Sequence, residues 1–314
     1  MANKEPSPES LFSPRLPVGL LYHGIPDRDD AFVDGSSLEK QLLFLKKHFE
    51  IVGLSGSVSE ARRSAKPRIA LTFDDGYRNN AVVAAPVLRR HRVPATFFVC
   101  NRHTQSDSYL WFSYLRALEK HFVGNGFQCH GEFIDMSRSR RQESCRRLRE
   151  HLLSLRPHPS AMYLEIENHL PLIGDFVERQ ELEMRYAGLS EEQIADLAAD
   201  SLFSVQAHTV DHPFLTLCSR EEAEAQLRKN KTWLEGITGN ECSVLAYPSG
   251  DYDAETVNLC RSLGFKHGFA VIPRKLNLPP FEIPRVGVFS KSLAVLAVKA
   301  RFGHAIRNLG VPVG

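Results

Sequence analysis

The chain reads as an α/β protein built on a parallel sheet or barrel with helices outside. Two observations carry that reading. Short apolar runs at residues 18–22, 69–73 and 203–207, and in PATFFVC, SVLAY and FKHGFAVI, alternate with segments whose apolar residues recur at helical spacing, as strands joined by crossover helices do. The polar residues of chemical interest, His23, the Asp74-Asp75 pair, His208 and Tyr247, each follow one of those runs. In parallel α/β folds the carboxyl ends of the strands gather on one face, and sites are built there.

Val18 to Tyr22, after Pro17, forms the first expected strand and ends at Tyr22-His23-Gly24. In SSLEKQLLFLKKHF, Leu38, Leu42, Leu45 and Phe49 define an amphipathic helix, with Ser36 and Glu39 as a capping-box pair. A Ser-rich, basic connector leads to Ile69–Phe73, which runs into Asp74-Asp75-Gly76. A helix in NNAVVAAPVLRRH and a strand in PATFFVC follow. Further on, Ser190 with Gln193 caps a helix, 203–207 is a strand, and Ser219 with Glu222 caps a longer helix carrying Leu227, Trp233 and Leu234. SVLAY then ends at Pro248-Ser249-Gly250, Gly264 stops the helix AETVNLCRSLG, and FKHGFAVI is a further strand. Between about 101 and 188 the rhythm breaks: WFSYLRALEKHF and RSRRQESCRRLREHLLSLR are helical with no convincing strand between them, so a largely helical insertion is expected. SLAVLAVKARFGHAIRNL predicts an amphipathic C-terminal helix packed on the body.

Composition narrows the class. The 314 residues are 43% apolar and 24% charged, and 39 Lys plus Arg against 37 Asp plus Glu leave a formal charge of +2. That surplus is too small for a general nucleic-acid binder, which needs many clustered cations. Six cysteines without any C-x-x-C pair read as reduced, mostly buried thiols. No run approaches a membrane span and the N-terminal residues lack the apolar core of an export signal, so the cytoplasm is the expected compartment.

Adjacent carboxylates such as Asp74 and Asp75 repel each other, and burying both calls for a compensating cation or proton. Asp-Asp-Gly is also a common turn. His208 and His212 are four apart and would share one side of a helical turn, a spacing suited to a metal, although Pro213 disfavours a helix there. Each signal is weak alone.

TFDDGY, HTVDHP and AYPSG in this order, with LLYHGIPD before them and IPRVGV after, resemble the polysaccharide deacetylase family, carbohydrate esterase family four with its NodB-like domain. The resemblance implies a distorted (β/α) barrel over 18–289, interrupted by the insertion at about 101–188, with 290–314 as C-terminal helix and tail. It implies one divalent metal ion, zinc by default, held by Asp75, His208 and His212, with Asp74 as catalytic base. The backbone N–H of Ser249 would help hold the oxyanion and the Thr209 hydroxyl would order the histidine loop, Tyr247 and Arg285 completing the substrate and oxyanion set. Acetate and a free amine would be the products.

Three departures stand out. Ala246 occupies a position where many members carry an arginine that orients the base, Ser249 replaces the usual aromatic, and the late Leu-x-x-His motif is missing from FEIPRVGV. His23 is the leading candidate for the acid that the missing histidine would supply, ahead of a structural role and of His267, which lies within its strand. Arg285 is expected to steady Asp74 or to bind substrate. The function implied is removal of an acetyl group, N-linked by preference, from a saccharide. Alternatives are an amidohydrolase acting on a small non-sugar amide and a catalytically silent carbohydrate-binding relative. Arg138, Arg140, Arg141, Arg146, Arg147, Arg149 and Arg156 crowd one stretch of the insertion. They read as a solvated helix face or, more sharply, as a phosphate contact to a nucleotide- or lipid-linked sugar at a membrane surface.

Overall fold

Strand β1 (Val18–Tyr22) is buried at every residue, as a strand covered on both faces must be. The structure, a computed structural model, describes residues 18–26, 33–53, 66–104, 108–271 and 280–306, without the side chains of 303–306. The start of the N-terminal stretch, the Ser-rich connector and the extreme C-terminus lie outside the described residues. Helix α1 (Gly35–His48) follows, then β2 (Glu50–Ile51), β3 (Arg68–Phe73), a π-helical turn at Asn80–Ala84 continuing into α2 (Ala85–His91), and β4 (Ala95–Val99). The chain then enters the insertion: α3 (Asn101–Thr104), α4 (Trp111–His121), β5 (Gly126–Cys129), β6 (Glu132–Asp135), α5 (Arg141–Ser154), α6 (Pro159–His169) and α7 (Arg179–Glu181). It returns through α8 (Glu191–Ala199), β7 (Phe203–Ala207), α9 (Arg220–Thr238), β8 (Val244–Ala246), α10 (Ala254–Ser262), β9 (His267–Ala270), β10 (Ile283–Gly287) and α11 (Leu293–Ile306).

Seven parallel strands close a barrel in the order β1-β10-β9-β8-β7-β4-β3, and β3 pairs back to β1. β2 adds to the start of β3. This is the expected (β/α) barrel. The main apolar core lies between strands and helices, where Leu38, Leu42 and Leu45 of α1 meet Leu20, Tyr22 and Phe73. Each such side chain contributes about 1.5–3 kcal/mol by leaving water. A smaller set, Ala70, Phe98, Ala246, Phe269 and Ile283, packs separately from that layer.

The capping boxes at Ser190–Gln193 and Ser219–Glu222 form as expected. Helix α1 differs. Its cap is Asp34 with Ser37, because Asp34 takes the extended backbone and accepts from the Ser37 amide. Glu39 instead pairs with Arg90 and His91 of α2.

The insertion packs around its own apolar cluster, including Trp111, Tyr114, Leu118, Leu148, Met162 and Tyr186. It also contains the antiparallel hairpin β5–β6, which the sequence reading did not foresee. Most residues of that hairpin are partly or fully exposed, so no buried face imposes the alternation that announces a strand. Three of the seven crowded arginines are engaged with acids or carbonyls: Arg146 pairs with Glu143 and Glu150, Arg147 lies near Glu132, and Arg141 donates to the Phe122 and Met136 carbonyls. Among the described residues no helix is long and apolar enough to cross a membrane.

The insertion rejoins the barrel at the loop after β3. Tyr77 and Gly188 form an antiparallel bridge, and the Leu189 amide donates to the Gly76 carbonyl at 2.9 Å. A Cβ on Gly188 would fall 1.7 Å from the His103 carbonyl oxygen, so only glycine lets these two segments touch.

Candidate active site

The loops after β3, β7 and β8 converge at the carboxyl end of the barrel. Six non-glycine residues among those described take a left-handed backbone, and four of them, Asp75, Thr209, His212 and Ser249, lie in these loops. Such conformations cost about 1–3 kcal/mol each and persist where the surroundings impose them, often at functional sites. Gly76 continues the first turn at φ 77°, and a Cβ there would strike Val99.

Asp75 is 1% exposed, and the Nε2 atoms of His208 and His212 lie 3.3 and 3.6 Å from its Oδ1. Neither Asp75 oxygen receives a well-formed hydrogen bond among the described residues. One ligand atom from each of Asp75, His208 and His212 lies within 4.8 Å of the others. A buried carboxylate without donors, faced by two imidazole nitrogens, is what a divalent cation satisfies, so these residues fit the metal that the sequence implies. Burial works against the charge on Asp75, but the His208 contact and the nearby His23, His212 and His208 hold its carboxyl below the usual range. Burial pushes the His212 imidazole down to about 4 despite Asp75, which leaves it neutral and able to donate a lone pair at neutral pH. For His208 burial is outweighed by Asp74 and Asp75, and its affinity for a proton rises.

The histidine loop is not helical. Asn230, buried on α9, accepts from the His208 and Thr209 amides through Oδ1 and donates to the Val99 carbonyl and to Asn101 Oδ1. One helix turn away, Gln226 accepts from the Val210 and Asp211 amides. The Thr209 hydroxyl, by contrast, is buried with no hydrogen-bond partner among the described residues. The ordering role expected of it belongs to Asn230 and Gln226. Sequence reasoning missed both, although Ala223, Leu227, Asn230 and Leu234 line the buried side of α9, and a polar residue in such a stripe is a signal. The Ala246 carbonyl lies 2.8 Å from His208 Nδ1. That contact fixes the tautomer and leaves Nε2 free for the cluster.

Beside the cluster, Arg285 grips Asp74 with two parallel hydrogen bonds, Nη1 to Oδ1 at 2.5 Å and Nη2 to Oδ2 at 2.8 Å. Of the two partners expected for Arg285, it is Asp74 that the guanidinium meets. Its side chain is 0% exposed, so it does not face a substrate. The guanidinium missing at Ala246 therefore arrives from β10. Gly19 stands opposite Arg285 in register, and a Cβ on Gly19 would come within 2.6 Å of Arg285 Cγ. Glycine in β1 makes room for the arginine stem.

Tyr247 does not join the site. It is fully buried in the outer core, stacks on Tyr252, and donates its hydroxyl to the Phe281 carbonyl. Strand alternation explains this: Ala246 packs with one layer and the next residue turns to the other. Ser249 is exposed at the turn after Pro248 with φ 54°. His23 is partly exposed at the end of β1, stacked at 5.6 Å on Phe289. His267 opens β9 at the strand's amino end, rather than lying inside it. The insertion also reaches the site: Phe112 of α4 meets His212 edge-on at 5.0 Å, and the Tyr163 hydroxyl of α6 donates to the Asp211 carbonyl. A cavity of about 420 Å³ lined by Tyr109, Tyr114, Tyr163 and Leu172 opens in the insertion rather than over Asp75.

A closed parallel barrel with paired carboxylates and two histidines at its carboxyl end is the layout expected of the polysaccharide deacetylase family. The polysaccharide deacetylase family model matches residues 61–151 and 164–268, and the chain belongs to that family. YxkH of Bacillus subtilis (strain 168), which bears the polysaccharide deacetylase name, is 25% identical over 263 residues, 82% of this chain; the match spans only 65% of that relative's length. Among solved structures, the Streptococcus pyogenes deacetylase PplD in complex with acetate has a TM-score of 0.56 at 17% identity, covering 89% of this chain and 96% of that one. IcaB from Ammonifex degensii gives 0.54 at 19% identity, covering 90% and 96%. At these identities the likeness is one of fold.

Proposed function

We propose that the protein is a metal-dependent deacetylase that removes an acetyl group, N-linked by preference, from a saccharide. The reading rests on one observation: a buried Asp75 carboxylate lacking donors faces His208 and His212, beside a second carboxylate, Asp74, that is held by a buried arginine. A zinc or similar divalent ion held by Asp75, His208 and His212 would supply Lewis acidity toward the acetyl carbonyl.

The chain's own groups account for the proton traffic. Asp74, held in one orientation by Arg285, takes a proton from the attacking water as the new carbon–oxygen bond forms. The Ser249 backbone N–H, displayed at the turn after β8, is the donor for the developing oxyanion. As the carbon–nitrogen bond breaks, the amine needs a proton, which His23 at the end of β1 would deliver. Acetate and a free amine leave. Phe112 and the insertion shape one side of the entrance and keep water from His212. Arg141, Arg146 and Arg147 are committed to glutamates and backbone carbonyls, which favours the solvated-face reading of that helix over a phosphate contact, and Arg138, Arg140, Arg149 and Arg156 are exposed.

Acetate release measured on N-acetylated oligosaccharides, an acetamido sugar nucleotide and small N-acetyl amides tests the proposal. Chelator-treated protein should be inactive and zinc should restore it. Activity confined to small amides would replace the saccharide assignment with the amidohydrolase one. Saccharide binding without acetate release from any substrate would establish a silent relative.

A further inference from the structure

A second gathering of ligating side chains lies in the insertion, away from the barrel mouth. Cys129 closes β5, His130 begins the turn into β6, His151 projects from the last turn of α5, and Glu165 comes from α6. The Nε2 atoms of His130 and His151 approach the same Glu165 oxygen, at 2.6 and 3.1 Å. One ligand atom each from Cys129, His130 and Glu165 lies within 4.8 Å of the others. Cys129 is a buried free thiol, the Glu165 side chain is 11% exposed, and the two imidazoles are about half exposed.

A solvated ion pair would account for one imidazole against one carboxylate, but not for the rest. Two imidazoles converge on a single oxygen, as His208 and His212 converge on Asp75 at the barrel mouth. The hairpin turn is also strained to bring His130 there. Cys129 pairs with Glu132, so His130 and Gly131 form a two-residue turn, with φ values of 49° and 78°. Such turns favour Asn-Gly because both central residues must be left-handed. Histidine in the first place carries a backbone cost that contributes nothing to the hairpin itself.

We propose that Cys129, His130, His151 and Glu165 form a structural zinc site that fastens the β5–β6 hairpin to α5 and α6. A thiolate, two imidazoles and a carboxylate make four donors of borderline softness, the set that closes a tetrahedral zinc site. The cluster at the barrel mouth supplies only three ligands and so leaves room for chemistry. This one leaves none. A cation between Cys129 and Glu165 also turns the repulsion of two potential anions into attraction.

Cobalt replacing zinc in the chelator-treated full chain separates the two sites, because only the insertion site contains sulfur. Wild type should show a near-ultraviolet thiolate-to-cobalt charge-transfer band. Cys129→Ser should lose the band, while its circular dichroism stays unchanged. Asp75→Ala should keep the band. His151→Ala, at a half-exposed position, should weaken the band-forming affinity about tenfold or more. Absence of the band in folded wild type, or its persistence in Cys129→Ser, would overturn the proposal. None of these outcomes depends on deacetylase activity.

Discussion

Arg285 on β10 holds both carboxylate oxygens of Asp74 on the loop after β3, across a sequence separation of 211 residues. The pair is buried, and breaking a buried pair by removing one partner costs about 3–5 kcal/mol because the other charge is stranded. Arg285→Lys keeps the charge but loses the fork, so acetate release should fall about 100-fold as Asp74 loses its fixed orientation. Gly19→Ala tests the same relationship without touching either partner. Its methyl displaces the arginine stem, and activity should drop about tenfold or more in a protein that still melts cooperatively. Normal turnover in both variants would refute the positioning role.

Asp74 and Asp75 are adjacent but should separate cleanly by metal content. Asp75→Ala removes a ligand, and inductively coupled plasma measurement should find one fewer zinc along with lost activity. Asp74→Asn should retain zinc and lose about 10²–10⁴-fold in kcat, the range of a removed general base.

His23→Gln should lower kcat by about 10²-fold or more with zinc content and melting temperature unchanged. The pH profile is the sharper readout: loss of a proton donor removes one limb of the bell, whereas a merely structural histidine would leave its shape intact.

Asn230→Leu should damage the site from behind. It leaves the His208 and Thr209 amides and the Val99 carbonyl without their partner, each worth about 1–3 kcal/mol when buried and unsatisfied. A fall in melting temperature of roughly 5–10 °C and a 10–100-fold loss in zinc affinity are expected, the first by calorimetry and the second by competition with a chelator.

The barrel was legible because its strands are apolar on both faces, so runs such as Val18–Tyr22 and Ala95–Val99 are continuous rather than alternating. That Asp74, Asp75, His208 and His212 meet at one end of the barrel was legible because they sit in short motifs at strand ends. What the sequence concealed depends on register between distant segments. Whether Arg285 meets Asp74 or a substrate turns on which residue of β1 it faces, and that residue is Gly19. Thr209 was credited with work done by Asn230 because a neighbour in sequence is easier to see than a helix side chain packed from elsewhere. Tyr247 was misplaced through neglect of strand alternation, and the β5–β6 hairpin escaped because its exposed faces impose no pattern.

The contact between His103 and Gly188 bears on how this architecture could have arisen and how it could be edited. The excursion begins and ends at touching points, so its two ends already satisfy the closure condition that makes segment exchange inexpensive. The entire segment could be removed and the gap closed by a short linker, or replaced by another module, without opening the strand order of the barrel. Such a deletion would strip Phe112 from His212 and Ser113 from Tyr77, trading the walls of the entrance while leaving the catalytic floor in place. The rim of the site and its floor are in that sense separately exchangeable parts of one chain.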